Sequence, residues 1–168
     1  MIRTLFVSAS LFLLGSVLFL AQAPQGRGQR GQTADPPSPV FWSTEQIGTM
    51  AADMKTRVSP QTHNAAAALI PSVNLIYRDG DSGSEIHEKV ADVIFVHEGE
   101  GSIMVGGKMI GGQQDRADEI RGTAIEGGTR YAIKKGDSIY IPANVPHQFF
   151  VEKGKHFVIS IVKVTPQR

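Results

Sequence analysis

The sequence contains no cysteine, and this absence excludes several classes of protein. Without thiols there is no disulfide framework, no thiolate zinc site, no cysteine nucleophile and no lipid anchor on cysteine. An excess of charge of one sign is also missing. Residues 1–23 carry one basic residue, Arg3, and no acidic one, so the rest of the chain has 16 basic and 16 acidic side chains. This balance gives no reason to expect a nucleic-acid partner.

Long helical patterns are scarce, whereas glycine is abundant, with 18 residues in a chain of 168. A chain of this length forms one domain around one core. Short apolar runs between glycine-rich turns predict an all-β domain.

Residues 1–23 have the features of an export signal. Arg3 precedes an uncharged apolar run, and the segment ends in Ala21-Gln22-Ala23, which resembles a cleavage site. The run is also close to the length of a short spanning helix, so an uncleaved membrane anchor is the alternative. In both cases we expect the folded part, residues 40–168, to be periplasmic or secreted. Residues 24–39 are rich in Gly, Gln, Arg and Pro and are predicted to be a flexible linker.

One helix is predicted at about Thr44–Arg57. Ser43 and Gln46 have the spacing of a capping box, apolar residues recur behind them at helical spacing, and Pro60 ends the helix. Such a helix could close one end of the domain or pack on a second subunit, and we expect a homodimer.

From Ser72 onward the pattern changes to about eight short strands separated by turn signals. No helical pattern alternates with them, which argues against a parallel α/β sheet and favours a sandwich or barrel. The predicted strands are Val73–Tyr77, Glu85–His87, Asp92–His97, Ser102–Val105, Thr129–Ile133, Ser138–Ile141, Gln148–Glu152 and His156–Val164.

Four ionisable residues fall on the second and third of these strands. Glu85 and His87 are two positions apart and therefore share one face. Asp92 shares a face with Ile94, and a carboxylate among apolar side chains needs a partner such as a metal or another cation. His97 has the opposite parity and is expected on the outer surface.

A second segment, Gly136 to His147, ends in a rigid turn. Pro142 and Pro146 stiffen the turn and fix the direction in which His147 leaves it. His147 and Phe149 then share one face of the next strand.

These segments resemble the two motifs of the cupin superfamily. The first motif of that family has an H-x-H pair, a Glu three or four residues later and a Gly seven positions beyond the Glu. In this sequence Glu85 and His87 stand at the pair, Asp92 at the Glu and Gly99 at the Gly.

The second cupin motif is a Gly, a Pro-x-Gly turn and a His, and Gly136, Pro142 and His147 match it in spacing. Asn144 stands at the turn glycine, and Asn enters the left-handed region more readily than most residues. The resemblance covers about Val73–Val164. It implies a single cupin-type double-stranded β-helix, or jelly-roll barrel, with one short N-terminal helix.

The resemblance also implies a divalent metal ion (Fe, Mn, Ni or Zn) inside the barrel, held by Glu85, His87, Asp92 and His147, beside a small-molecule ligand. Cupin metal sites typically carry three His and one Glu, whereas this set has two His and two carboxylates, which can still bind such metals. The distal Asn of the family would fall at Val151 and is absent. The alternative is a barrel without a metal, in which both histidines are hydrogen-bonded in a polar pocket.

Between the motifs lies a long glycine-rich segment, Gly106–Gly128. We interpret it as a solvated loop; the alternative is a lid in which Arg116 or Arg121 contacts an anionic substrate. His63 and His156 have no partner at a useful spacing and are expected to face solvent.

Three functions fit these features. The first is a metal-dependent enzyme of dioxygenase, isomerase or lyase type, for which Tyr131 or Tyr140 could supply a proton, although both could simply pack. The second is a non-enzymatic module that binds a sugar-like or acidic ligand, and the third is a structural barrel without a ligand. The fold alone does not decide among them, since one fold hosts many functions.

Overall fold

The computed structural model describes residues 39–166. The predicted signal or anchor, residues 1–23, and residues 24–38 of the predicted linker lie outside this part of the chain. Within residues 39–166, no helix is both long enough and apolar enough to cross a membrane.

The described residues form one helix and twelve strands, and every strand pair is antiparallel. The elements are α1 (Thr44–Thr56), β1 (Asn64–Ile70), β2 (Val73–Arg78), β3 (Ser84–His87), β4 (Ala91–Val105), β5 (Lys108–Ile110), β6 (Gln113–Arg116), β7 (Glu119–Gly122), β8 (Ala124–Glu126), β9 (Thr129–Lys134), β10 (Ser138–Ile141), β11 (His147–Phe150) and β12 (Phe157–Val164).

Strand β4 has 15 residues and runs through two sheets. Its first half pairs with β12 and β10, which gives a sheet in the order β1, β2, β12, β4, β10. Its second half pairs with β9 and β11, which gives a sheet in the order β9, β4, β11, β3, β7, β6. Strands β5 and β8 pair separately. The described residues are therefore mostly strand, and their curled antiparallel sheets agree with the predicted jelly-roll barrel.

Alternate residues of β4, β11 and β12 point between the two sheets, because side chains on a strand alternate from face to face. They form an apolar core in which each buried side chain contributes roughly 1.5–3 kcal/mol. The buried members are Ile94, Val96, Ile103, Ile133, Ile141, Phe149, Val151, Phe157, Ile159 and Ile161.

Helix α1 packs on the outer face of the first sheet instead of closing an end of the barrel. Met54 and Ala51 join a second buried cluster with Leu75 and Val158, and Val158 has the opposite parity to the core residues on either side of it. The predicted capping box is confirmed: Ser43 N–H donates to Gln46 Oε1 at 2.8 Å, and Gln46 N–H donates to Ser43 Oγ at 3.2 Å.

One prediction about the strands is wrong, and one strand was not predicted. The segment Gly106–Gly128 is not an open loop, because it contains β5, β6, β7 and β8. All four residues of β6 are exposed, so backbone pairing at a sheet edge holds this strand without the alternating burial that marks a strand in sequence. Strand β1 was not predicted either, because its run of alanines has low strand propensity.

The strands predicted at Asp92–His97 and Ser102–Val105 are one continuous strand. The chain passes through Gly99, whose φ of +75° lies in the left-handed region. A Cβ at this position would lie 1.9 Å from the carbonyl oxygen of His156, so only glycine allows β12 to come so close.

Candidate metal centre

Strands from both sheets bring the predicted site residues to one end of the barrel. Glu85 and His87 lie on β3, Asp92 on β4 and His147 on β11. His147 is directly opposite Glu85 in the strand register. Ligand atoms of Glu85, His87 and His147 all lie within 4.8 Å of one another, so these three residues could hold a metal ion.

His147 presents one ring nitrogen to this cluster. Its side chain is 1% exposed, and its Nδ1–H donates to the carbonyl oxygen of Val145 at 3.2 Å. With Nδ1 used as the donor, Nε2 is the ring nitrogen left to face the cluster. Nε2 lies 3.4 Å from Glu85 Oε1 and 3.7 Å from Asp92 Oδ2 and is buried without a hydrogen-bond partner. A histidine fixed in this way by its other nitrogen is typical of metal ligands.

Asp92 is the most deeply buried carboxylate of the cluster, at 1% exposed. Its Oδ2 lies 3.4 Å from His87 Nε2, and its Oδ1 lies 2.7 Å from the Nζ atom of Lys163. Neither oxygen has the geometry of a hydrogen bond. Asp92 is therefore near the histidines, as predicted, but it is paired with a lysine.

Lys163 is the residue that sequence reasoning missed. It lies opposite Asp92 in the register of β12 with β4, and its ammonium also donates to His87 Nε2 at 2.6 Å. A signal for it exists in the sequence, because Lys163 continues the alternation of Phe157, Ile159 and Ile161 and must therefore point inward.

Both carboxylates of the cluster are held in the ionised form. Burial by itself would raise the pKa of Glu85. The neighbouring His147, Arg121 and His87 outweigh burial and lower this pKa to about 2. Burial also raises the pKa of Asp92, and the neighbouring His87 and Lys163 outweigh burial, so the net pKa shift is downward. The cluster thus contains two negative charges at neutral pH.

Arg121 completes the cluster on the side of β7. Its guanidinium lies 3.1 Å from Glu85 Oε2 and also pairs with Glu119 and Asp115. Arg116 pairs with Glu119 as well. The two arginines that would contact an anionic substrate if the segment were a lid are therefore engaged with acidic side chains of their own chain.

The turn after β10 positions the cluster through Asn144. Its φ of +66° confirms the left-handed conformation predicted for this position. Its backbone N–H donates to the carbonyl oxygen of His87 at 2.8 Å. Its side-chain amide donates to the backbone carbonyl oxygen of Glu88 at 3.0 Å. A glycine here could not make the second bond, so the asparagine ties the turn to the end of β3 more firmly.

The remaining histidines lie outside the cluster. His97 faces away from the core, as predicted, and is hydrogen-bonded to the hydroxyl of Ser160. His63 pairs with Asp79, and His156 pairs with Glu98 and stacks on Tyr77. A cavity of about 820 Å³ also lies away from the cluster, on the outer face of the second sheet.

The cluster fits a divalent metal ion by the chemistry of its donors. Two imidazole nitrogens and a carboxylate form a donor set suited to Fe, Mn, Ni or Zn. The buried His147 Nε2 and both Asp92 oxygens lack a hydrogen bond, and a buried polar atom without a partner is costly. A metal ion beside Glu85 would satisfy His147 Nε2, whereas Asp92 already has the ammonium of Lys163 as its cation.

The described residues thus form an antiparallel barrel of the predicted jelly-roll type, with a His and carboxylate cluster at one end. Solved structures with similar folds include the polyketide cyclase RemF from Streptomyces resistomycificus, with a TM-score of 0.44 and 17% identity over 62% of this chain and 68% of that chain. The structure of FeII HppE has a TM-score of 0.47 and 18% identity over 63% of this chain and 53% of that chain. The CENP-C cupin domain of Drosophila melanogaster has a TM-score of 0.42 and 10% identity over 60% of this chain and 68% of that chain.

TM-scores below 0.5 at identities from 10% to 18% support no conclusion about the family or function of this chain. The match covers from 53% to 68% of the length of these structures. No protein-family model and no curated protein matches the chain.

Proposed function

We propose that this barrel binds a divalent metal ion through Glu85, His87 and His147 and holds a small molecule beside it. The observation that carries the proposal is the meeting of their ligand atoms within 4.8 Å at a buried end of the barrel. A metal ion with two imidazole ligands and one carboxylate keeps positions open at which it can activate water, oxygen or an enolisable substrate.

The surrounding residues support this proposal through the charges that they place. Glu85 and Asp92 bring two negative charges into a site with little access to solvent, where charge is expensive unless it is compensated. Arg121 compensates Glu85 from one side, but it also serves Glu119 and Asp115. Lys163 compensates Asp92, so the positive charge of a divalent ion would act mainly on Glu85, whose partner Arg121 is shared with other acids.

The test is the metal content of purified and reconstituted protein, measured by mass spectrometry. We expect His87→Ala and His147→Ala each to remove most of the bound metal. His97→Ala is the matched control, because His97 is a partly buried histidine of the same barrel that faces away from the cluster. Circular dichroism of each variant checks that the fold is retained. Wild-type protein that takes up no metal, or equal metal loss in all three variants, would contradict the proposal.

A second candidate function, binding of a small acidic molecule without catalysis, is favoured by Arg78. This residue is 8% exposed, its guanidinium carbon lies 5.6 Å from the centre of the Phe149 ring, and its Nε has no hydrogen-bond partner. Burial lowers the pKa of Arg78, and attraction to Glu85 opposes that shift. A buried guanidinium with an unused donor is suited to a carboxylate ligand.

Succinate and acetate can test this second function by calorimetric titration. We expect the dianion to bind the wild-type protein more tightly than the monoanion, and Arg78→Met to lose most of this binding. Arg78→Lys keeps the charge without the planar donor pair and should retain part of the affinity. No binding of either anion to the wild-type protein would exclude an acidic ligand of this size.

Export and self-association are further parts of the proposal. The apolar run behind Arg3 supports a periplasmic or secreted location, and cell fractionation with and without residues 1–23 tests it. Exposed Phe95 and Tyr140 on the outer face of the first sheet support a homodimer, which sedimentation equilibrium tests.

A further inference from the structure

Lys163 places its ammonium group against two residues of the cluster. Its Nζ lies 2.6 Å from His87 Nε2 and 2.7 Å from Asp92 Oδ1. His87 is one of the three residues whose ligand atoms converge. The ammonium group therefore touches the metal cluster directly and is not merely a neighbouring charge.

The conflict concerns one lone pair. A ring nitrogen of histidine that carries no proton has a single available lone pair, which either accepts a hydrogen bond or coordinates a metal ion. In this structure the ammonium of Lys163 uses it. The other nitrogen of His87 faces Glu119, with 3.9 Å between Nδ1 and Glu119 Oε2, so Nε2 is the atom directed at the cluster.

Resting on the proposed function, we infer that Lys163 is a built-in competitor of the metal ion, one that sets the affinity of the site by holding His87 Nε2. In the metal-free protein Lys163 compensates Asp92 and occupies His87. Metal binding then requires the ammonium to leave His87, while the contact with Asp92 can persist.

The surroundings of Lys163 allow this movement. Its side chain is 26% exposed, whereas the side chain of Asp92 is 1% exposed, so the lysine stem reaches the cluster from the rim of the barrel. Its backbone is fixed, since its N–H donates to the carbonyl oxygen of Ser72 at 2.8 Å. The flexible four-carbon stem can move the ammonium towards solvent without a change in the strand.

Asp92 then has a different role from the three other predicted ligands. An aspartate paired with an ammonium at 2.7 Å is already compensated and has less to gain from a metal ion. The metal is then held by Glu85, His87 and His147, and Asp92 serves to keep Lys163 in place.

The experiment is a calorimetric titration of Mn²⁺ and of Zn²⁺ into three proteins: wild type, Lys163→Met, and the double variant Asp92→Asn with Lys163→Met. We expect both variants to bind metal at least about tenfold more tightly than wild type, because His87 Nε2 is free in each. The double variant removes one charge of each sign, so its gain cannot arise from net charge. It also avoids leaving Asp92 buried without a partner, should the single variant fail to fold.

Lys155→Met is the matched control. Lys155 forms a lysine–carboxylate pair with Glu100 at 2.6 Å, but both side chains are more than half exposed and lie outside the cluster. Its loss should leave metal affinity within about twofold of wild type.

The pattern of outcomes separates this inference from the proposed function. Metal binding by the wild type with equal or weaker binding in both Lys163 variants overturns the competition and leaves the metal site intact. Absence of metal binding in all the proteins overturns both. Tighter binding in Lys155→Met to the same extent would show that only overall charge matters, and would overturn the competition as well.

Discussion

The two ends of the barrel interior are built by the same strands from opposite kinds of residue. Along β12 the inward positions are apolar until the last, which is Lys163. Along β4 they begin with Asp92 and become apolar from Ile94 onward, and on β11 the inward residue His147 is followed by Phe149. One alternation of side chains therefore produces an apolar core at one end and a charged cluster at the other.

The contrast between the apolar and the charged end shows which part of the barrel stabilises the fold. Apolar burial contributes roughly 1.5–3 kcal/mol for each large side chain. Buried charges at best recover their desolvation cost through their partners. The polar end is therefore not explained by stability, and this supports a role in binding. Charge is tolerated there because each acid has a partner, Lys163 for Asp92 and Arg121 for Glu85.

The largest loss of stability is expected from a substitution at the apolar end. Phe149 is 1% exposed and packs against Phe157, with ring centres 5.6 Å apart. We expect Phe149→Ala to lower the free energy of unfolding by about 3–5 kcal/mol, because it leaves a cavity that the rigid sheets cannot close. Urea unfolding measures the loss.

Phe95→Ala is the control for that prediction, since Phe95 is 42% exposed on the outer face of the first sheet. It should cost at most about 1 kcal/mol. Equal losses in the two variants would show that the apolar end does not dominate stability. If Phe149→Ala does not fold, Phe149→Leu gives the same comparison at a cost of about 1.5 kcal/mol.

Sequence reasoning identified the strands whose pattern arises from burial. Around Asp92 and His147, inward and outward residues alternate because one face of each strand lies in the core. At the turn, Asn144 indicates a left-handed backbone conformation, since asparagine adopts it more readily than most residues. These features are local, so a single sequence is enough to find them. The jelly roll and the convergence of Glu85, His87 and His147 followed from them together with the resemblance to cupins.

The parts that were missed depend on partners distant in sequence. The alanine-rich β1 is a strand because β2 pairs with it and α1 covers Ala65, and none of this is visible in its composition. Strand β6 is held by pairing with β7 and not by burial. The pairing of Lys163 with Asp92 joins residues far apart in the chain, and its alternation signal was hidden by the expectation that lysine faces solvent.

A smaller effect is expected where the polar end is attached to the turn. Asn144 combines a positive φ with two hydrogen bonds to the end of β3. Asn144→Ala should lower the free energy of unfolding by roughly 1–3 kcal/mol, because it loses the side-chain bond and forces alanine into the left-handed region. Asn144→Gly keeps the conformation and should cost roughly 1 kcal/mol. Chemical denaturation gives both values; a glycine variant less stable than the alanine variant would show that backbone strain is unimportant here.

The smallest expected effect concerns a histidine that lacks the charged partners of the polar end. His97 lies under α1 beside a cavity of about 280 Å³ whose lining also contains Glu98 and Lys135, and it is hydrogen-bonded to the hydroxyl of Ser160. Burial lowers the pKa of His97. The contrast predicts that charge is tolerated inside the barrel, where it is paired, and disfavoured at this outer position, where it is not.

The sign of the pH dependence follows from the direction of that shift. Because the pKa of His97 is lower in the folded than in the unfolded chain, the unfolded chain binds more protons between the two values, and stability rises with pH in that window. The contribution of His97 is therefore complete above its unfolded pKa of about 6.5 and is lost as the pH falls through the folded value.

Urea unfolding of the wild type and of His97→Gln at pH 7 and pH 5 isolates this contribution, because the other histidines are common to both proteins. We expect the wild type to lose more stability than the variant on acidification, by less than the effect of Asn144→Ala. If the variant loses as much as the wild type, or more, then Glu98 compensates the imidazolium and the outer position tolerates charge as the inner cluster does.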